Sequence, residues 1–499
     1  MSHVDASHLD LPSYGHFIDG AAVAPASREY LPTDDPVTAQ PWARIARGTP
    51  RDVDAAVASA RRAFESGAWP ALSPSERGRL LWKLGDAVAA NAEHLAQIER
   101  RDNGKLASEV TAQVRYMADY FKYYAGLADK IHSTVIPTDK KGVFAYTRYE
   151  PKGVIAIITP WNSPLTLTSW KLAPALATGC TAVVKPSEYT SASMLELARV
   201  AVDAGIPAGV INVVTGLGAE VGEALVTHRD VAHIGFTGGD EAGRRVYALA
   251  ARELKTVTLE LGGKSPNIVF DDADLDQAVK GVVSGIFAAS GQSCQAGSRL
   301  LVQRSIHDRF VDMLVEFMRD VKLGDPALPD TQMGPIATRP QFEKVLRYIE
   351  LGRSEGATVS LGGRAPPDLR GWFVEPTIFT GVRNDMRIAQ EEIFGPVLSV
   401  IPFEDEHDAI RIANDIRFGL AGAVWTRDLR RAMLMTEKIR AGTVWVNNYR
   451  ATSFTSPFGG FKDSGIGRES GIDAVREYLE TKCVWISSDL EVPNPFIRR

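Results

Sequence analysis

The chain has 499 residues, of which 45% are hydrophobic and 23% charged, material for roughly three domains of ordinary size. A formal net charge of −5 excludes the basic excess expected of a nucleic-acid surface, and no apolar run reaches the length of a membrane span. Cys180, Cys294 and Cys483 are too sparse for a disulfide framework or a zinc site, and suit a reducing, cytoplasmic compartment. The opening MSHVDASHLDLPSYGHFIDG has no basic start followed by an apolar core, so no secretory signal is expected in it.

After that polar opening, residues 51–130 carry apolar side chains at three- and four-residue spacing and are predicted to be helical. Asn103-Gly104 is a natural stop within them. Residues 110–130 form a further helix, where Tyr116, Tyr120, Phe121, Tyr123 and Tyr124 read as packing residues. From Pro151 the rhythm changes. GVIAIIT, TAVVKP, GVINVVTG, AHIGFTG and TVTLELGG read as strands. SWKLAPALATG, ASMLELARVAVDAG, AEVGEALVTH and DEAGRRVYALAARE read as the helices between them. Such alternation predicts a parallel, doubly wound sheet. A second alternating block begins at SPNIVF and runs on through residues 357–400 and 409–446. The stretch SPFGGFKDSGIGRESG is a loop expected to carry function.

Three constellations point to chemistry. Cys294 lies in ASGQSCQAGSR, a Gly/Ser-rich loop between a helix and a strand. A lone cysteine is most often a small buried hydrophobe, but such a loop can expose a thiol and aim backbone N–H groups at an oxyanion. Cys180 and Cys483 keep the structural reading. Glu260 ends the apolar strand TVTLELGGK. That is the carboxyl edge of the sheet, where ligands bind, and a partly buried Glu there suits a general base. A salt-bridged structural Glu is the alternative. Finally, Gly-rich turns feed helices at residues 216–222 and 236–243 and could place N–H groups on a phosphate. Lys185 and Glu188, in VVKPSE, could hydrogen-bond ribose hydroxyls.

Read together, these pieces resemble the aldehyde dehydrogenase superfamily, hydrolytic type, over residues 17–485. The resemblance is carried by TPWNSP (159–164), KPSE (185–188), GFTG (235–238), LELGGKSP (259–266) and GQSC (291–294), followed by EEIFGPV (391–397), PFGGFKDSG (457–465) and GRE (467–469). It implies Cys294 as nucleophile, Glu260 as general base, and Asn162 as an oxyanion donor opposite the Cys294 N–H. It also implies Lys185 and Glu188 at the adenosine ribose, with Gly218, Gly238 and Gly239 along the dinucleotide. Glu392 would contact the nicotinamide ribose, and Phe394 would lie beside the nicotinamide. Trp161 takes no catalytic role. NAD is the expected cofactor, with NADP not excluded. One departure is Gly239-Asp240, where relatives carry a hydroxyl donor; Asp240 is expected to cap the next helix.

The resemblance implies an α/β fold with a Rossmann-like doubly wound cofactor domain (1–129 and 148–259), an α/β catalytic domain (260–470) and a small β oligomerisation element (130–147 and 471–499). KCVWIS would pair there as a strand, and its edge invites a homodimer or homotetramer. The implied activity oxidises a small-molecule aldehyde to an acid through a Cys294 thioester. Three rivals are a CoA-acylating relative, a thiol esterase and a catalytically silent lens-type relative. The retained Glu260, the cofactor-binding residues and the intact Cys294, Glu260 and Asn162 argue against them in turn. Arg115 and Arg450 resemble positions bordering the substrate tunnel, and Arg115 the one that holds the distal carboxylate of a semialdehyde. The alternative is that they are solvated or paired with acids such as Glu109 or Asp463.

Overall fold

Val154–Ile158, Thr181–Lys185 and Ile211–Val213 are buried along their whole length, and Val231–Thr237 and Thr256–Glu260 over most of theirs. Short apolar runs of this kind are strands covered on both faces. In the computed structural model, which describes residues 11–488 and 494–497, they pair in parallel. Their spatial order is Thr256–Glu260, Val231–Thr237, Val154–Ile158, Thr181–Lys185, Ile211–Val213. The order reverses beside Val154–Ile158. A doubly wound sheet opens its ligand crevice at such a switch point. The outer ends of two expected segments, residues 1–10 of the first and residues 489–493 and 498–499 of the last, lie outside the described residues.

The opening is more regular than its polar composition predicts. His16–Ile18 and Ala21–Val23 extend the sheet antiparallel at one edge. Strands of three residues are too short to show a period. At the other edge Gly465–Ile466 pairs with the end of Thr256–Glu260, setting Gly465 opposite Glu260.

The helical region divides at Asn91, whose side-chain amide donates to Ala87 O (2.8 Å) between helices Pro74–Ala90 and Ala92–Asn103. Gly104, left-handed at φ 71°, ends the second helix at the predicted stop. On helix Ala107–Leu127, Tyr120, Phe121 and Tyr124 are buried in the core, as packing predicts. Tyr116 and Tyr123 pack against Phe454, with ring centroids 5.6 and 5.3 Å apart. The helix expected over AEVGEALVTH is instead a wider π-turn, Gly218–Gly222, leading into the short helix Glu223–Thr227.

A second sheet of seven strands is parallel except for Thr358–Leu361. Its first strand, Pro266–Val269, starts just after Thr256–Glu260 ends, and Arg299–Gln303 starts just after Cys294. The carboxyl edge of the first sheet therefore meets the amino edge of the second. In a third sheet Leu479–Ser487 runs antiparallel to Val143–Pro151, so KCVWI does pair as a strand. Cys483 is exposed on it, whereas Cys180 is buried and donates to Tyr478 O (3.3 Å). Among the described residues no helix is long and apolar enough to cross a membrane, and no group of acids, histidines and cysteines is placed to hold a metal ion.

Candidate active site

The strands flanking the switch point deliver the first half of the site. Ile158 leads into Pro160-Trp161-Asn162, and Thr237 into Gly238-Gly239; both segments line a cavity of about 150 Å³ with Cys294, Glu392 and Phe394. These residues, from four separate parts of the sequence, are thus brought onto one wall.

LELGGK explains how they pack. Glu260 is the last residue of its strand, and after Leu261 come two glycines. A Cβ on Gly262 would lie 2.4 Å from Glu392 Oε2, and one on Gly263 would lie 2.6 Å from Cys294 O. Only glycine lets both groups approach this turn. The Gly263 N–H donates to Glu392 Oε1 (2.9 Å), which fixes that carboxylate over the backbone.

The Cys294 loop is held under strain. Ala289 and Ser290 adopt left-handed backbone at φ 52° and 53°, a conformation costing on the order of 1–3 kcal/mol per residue. Ser290 Oγ donates to Gly334 O (2.8 Å), and the Ala289 N–H to Glu109 Oε1 (3.2 Å). Gln292 anchors the loop through Pro335 O (3.3 Å) and the Ala337 N–H (2.8 Å). Cys294 emerges half-buried, packed against the same core as Phe454 and Trp170.

Asn162 is buried, and its Nδ2 donates to Gln292 O (3.0 Å). An amide NH₂ has two donors, so the other stays available. Burial, reinforced by the Glu260 and Glu392 charges, pushes the Cys294 thiol up to about 12. The thiol therefore carries its proton at neutral pH. Glu260 is only 4% exposed and neither carboxylate oxygen has a hydrogen-bond partner. Burial, then the charge of Glu469, hold its carboxyl well above the usual carboxylate range. Glu469 itself is ion-paired with buried Lys171 (2.6 Å), and Lys171 also donates to Thr237 Oγ1 (2.5 Å). Glu469 lies in the GRE string, which by itself implies no role for it. Nothing in the sequence spacing links it to Lys171.

A larger cavity, about 620 Å³, continues from Gly239 and Glu392 past Arg245. A third, about 250 Å³, is lined by Lys185, Gly218, Phe236 and Arg245. Arg245 joins the last two, and Gly239 and Glu392 join the first two, so a single crevice follows the sheet edge. Buried Lys185 donates to Pro186 O (3.0 Å) and pairs with half-buried Glu188 at 3.5 Å. Side chains at Gly218 and Gly239 would meet nothing within 4 Å. Phe394, at φ 60°, sets its ring edge-on to Trp161 (5.2 Å). Asp240 is not the helix cap: Gly239 occupies that position, and the Asp240 carboxylate pairs with Arg417 at 2.5 Å. The negative charge expected in the crevice is therefore compensated.

The two arginines separate. Arg115 is exposed and its guanidinium donates to Glu93 (2.7 Å), so it does not join the site. Adjacent helix positions face about 100° apart, and Tyr116, next in sequence, is the residue that turns toward Phe454. The acids expected as local partners are engaged elsewhere: Glu109 by Ala289, and Asp463 by Arg244 (2.7 Å). Arg450, half-buried at φ 66°, donates to Ser284 O (3.3 Å) and has no carboxylate within ion-pairing distance among the described residues.

Comparison with known proteins places nearly the whole chain in one family. The model of the aldehyde dehydrogenase family matches residues 23–484. An aldehyde dehydrogenase of Aspergillus niger is 47% identical over 471 residues, 94% of each chain. The NAD+ complex of an aldehyde dehydrogenase from Bacillus cereus has a TM-score of 0.94 at 44% identity, covering 96% of this chain and 97% of that one. A betaine aldehyde dehydrogenase from Staphylococcus aureus in complex with NAD+ has a TM-score of 0.96 at 40% identity, covering 98% and 97%. The chain belongs to the aldehyde dehydrogenase family.

Proposed function

We propose that this enzyme oxidises an aldehyde to a carboxylic acid with NAD, through a thioester on Cys294 that water hydrolyses. The observation that carries this reading is the convergence of Cys294, Asn162 and Glu392 on one cavity, beside which Glu260 is buried at the end of its strand, its charge adding to burial in raising the Cys294 thiol. The dinucleotide suits the crevice: Lys185 and Glu188 would hold the adenosine ribose, Gly218, Gly238 and Gly239 would leave room for the phosphates, and Glu392 and Phe394 would border the nicotinamide. When bound it supplies the acceptor for the hydride that leaves the carbonyl carbon.

The protein groups do the rest. Cys294 Sγ, having released its proton to solvent, bonds to the carbonyl carbon as the C=O π bond breaks, and the carbonyl oxygen becomes an oxyanion. The free Asn162 N–H and the Cys294 backbone N–H stabilise that charge. Loss of hydride leaves a thioester. Glu260 then takes a proton from water, hydroxide adds, and the C–S bond breaks to release the acid.

Cofactor choice follows from Glu188. A carboxylate accepts from ribose hydroxyls and repels a 2′-phosphate, so NAD should exceed NADP in kcat/KM by about tenfold or more. Glu188→Ser should narrow that ratio. A parent enzyme that prefers NADP contradicts the assignment.

For the substrate, Arg450, with no carboxylate partner among the described residues and bonded only to Ser284 O, remains the candidate for a distal carboxylate. Steady-state KM values for a carboxylated aldehyde and its uncharged analogue test this. The charged substrate should bind better, and Arg450→Ala should remove an advantage of about 1.5–3 kcal/mol. Arg115→Ala should change neither value. Equal KM values in the parent would leave an apolar, aromatic tunnel as the description.

We also propose the division into cofactor, catalytic and oligomerisation segments given above, a cytoplasmic location, and a homodimer or homotetramer. Phe144, Trp485 and Ile486 are 51%, 57% and 51% exposed on the third sheet, apolar surface that a second copy would cover. A sedimentation velocity run showing only monomer would contradict this assembly.

A further inference from the structure

The turn that ends helix Ala92–Asn103 is buried, and while Asp102 turns to Thr33 and Trp42, three of its polar side chains reach the short segment that carries Asn162. Asn103 Nδ2 donates to Asn162 O (3.2 Å). Lys105 Nζ donates to Ser163 Oγ, and Glu99 Oε2 accepts from the Leu165 N–H (3.2 Å). Within the turn, Asn103 Nδ2 also lies 3.4 Å from Glu99 Oε1, and Asn103 Oδ1 accepts from the Lys105 N–H (3.1 Å). Glu99, Asn103 and Lys105 are 1%, 1% and 5% exposed. Burying two charges and an amide is costly unless their partners are well placed. The loop that carries Asn162 is thus gripped at three points from behind.

The grip closes into a ring. Asn162 Nδ2 donates to Gln292 O (3.0 Å), and Gln292 Nε2 donates to Pro335 O (3.3 Å). Pro335 packs on Gly104, where an added Cβ would lie 2.6 Å from its ring. Gly104 follows Asn103. The loop bearing Asn162 and the loop bearing Cys294 are therefore registered against each other through this one turn.

We propose that Asn103 is a positioning residue for the reaction: acting on Asn162 from the far side, it sets where the free Asn162 N–H points relative to Cys294. The inference rests on the reading of Asn162 as the oxyanion donor. Without the Asn103 donor, the Asn162 carbonyl loses its partner and the loop can relax. Misplacing a donor by a fraction of an ångström weakens its bond to the oxyanion while leaving the thiol in place.

A double-mutant cycle tests this in the full-length enzyme with NAD and a simple aliphatic aldehyde that the parent turns over. The readout is the rate of the first-turnover NADH burst, with alkylation of Cys294 by iodoacetamide as a control that needs no oxyanion donor. Asn103→Leu should lower the burst rate by about tenfold to a hundredfold and change alkylation by less than about twofold. In an Asn162→Ala background the same substitution should have almost no further effect, because the side-chain N–H that Asn103 positions is gone even though the carbonyl it holds remains. Asn103→Asp keeps the size of the side chain and the acceptor for Lys105 but loses the amide donor. It should behave alike, and serves if Asn103→Leu does not fold. An equal loss in both backgrounds, a parallel loss of alkylation, or no loss in the parent background would each overturn the inference. Should Asn162→Ala itself leave the burst unchanged, the oxyanion reading fails, and the inference falls with it.

Discussion

Cys294→Ala is expected to abolish aldehyde-dependent NADH formation, a loss of at least about 10⁴-fold, while NAD still binds. The other thiols cannot substitute. Cys180 is buried against Tyr478, and Cys483 is exposed on the third sheet. The substitution removes a single sulfur atom from the wall of the cavity and none of the residues along the rest of the crevice. Absorbance at the NADH band and calorimetric titration with NAD report the two properties separately. Residual turnover within about tenfold of the parent would show that hydride loss does not need the covalent intermediate.

Glu260→Gln should separate the two halves of the reaction. Thioester formation needs Cys294 and the oxyanion donors, so one equivalent of NADH should still appear. Hydrolysis needs a base for water, so the steady rate after the burst should fall by about 10²–10⁴-fold. The pH dependence gives a second signature. The ionised carboxylate is the active form, and burial with the Glu469 charge raises the pKa of Glu260. Where hydrolysis limits the parent, its steady rate should therefore climb with pH through a value above the usual carboxylate range. That limb should vanish in Glu260→Gln. The burst also rises with pH, because the Cys294 thiol is pushed up to about 12, and this dependence should persist. A Glu260→Gln enzyme with a normal steady rate would mean that another group, with Glu469 the nearest candidate, activates water.

Much of the molecule is written locally. Val154–Ile158 and its parallel neighbours are short apolar runs separated by helical periods, and that pattern is enough to specify strands wound in parallel. Asn103-Gly104 stops a helix because glycine accepts a left-handed backbone that other residues resist. The strings around Cys294, Glu260 and Asn162 carry the family resemblance without any coordinates.

What the chain does not announce depends on residues far apart in sequence. The antiparallel strand His16–Ile18 is too short to show a period and exists because Ile211–Val213 offers it an edge. Asp240 reads as a helix cap until Arg417, 177 residues away, takes its carboxylate. Arg115 and Tyr116 are neighbours in the chain, and only the rotation of their helix sends one to Glu93 and the other toward Phe454. Lys171 meets Glu469, and Asn103 meets Asn162, only once helices and loops distant in sequence pack around the first sheet. Local propensity selects helix, strand and turn within a few residues. Which buried charge finds a partner, and which amide is left free to meet a substrate, is decided by packing between segments that no local period connects.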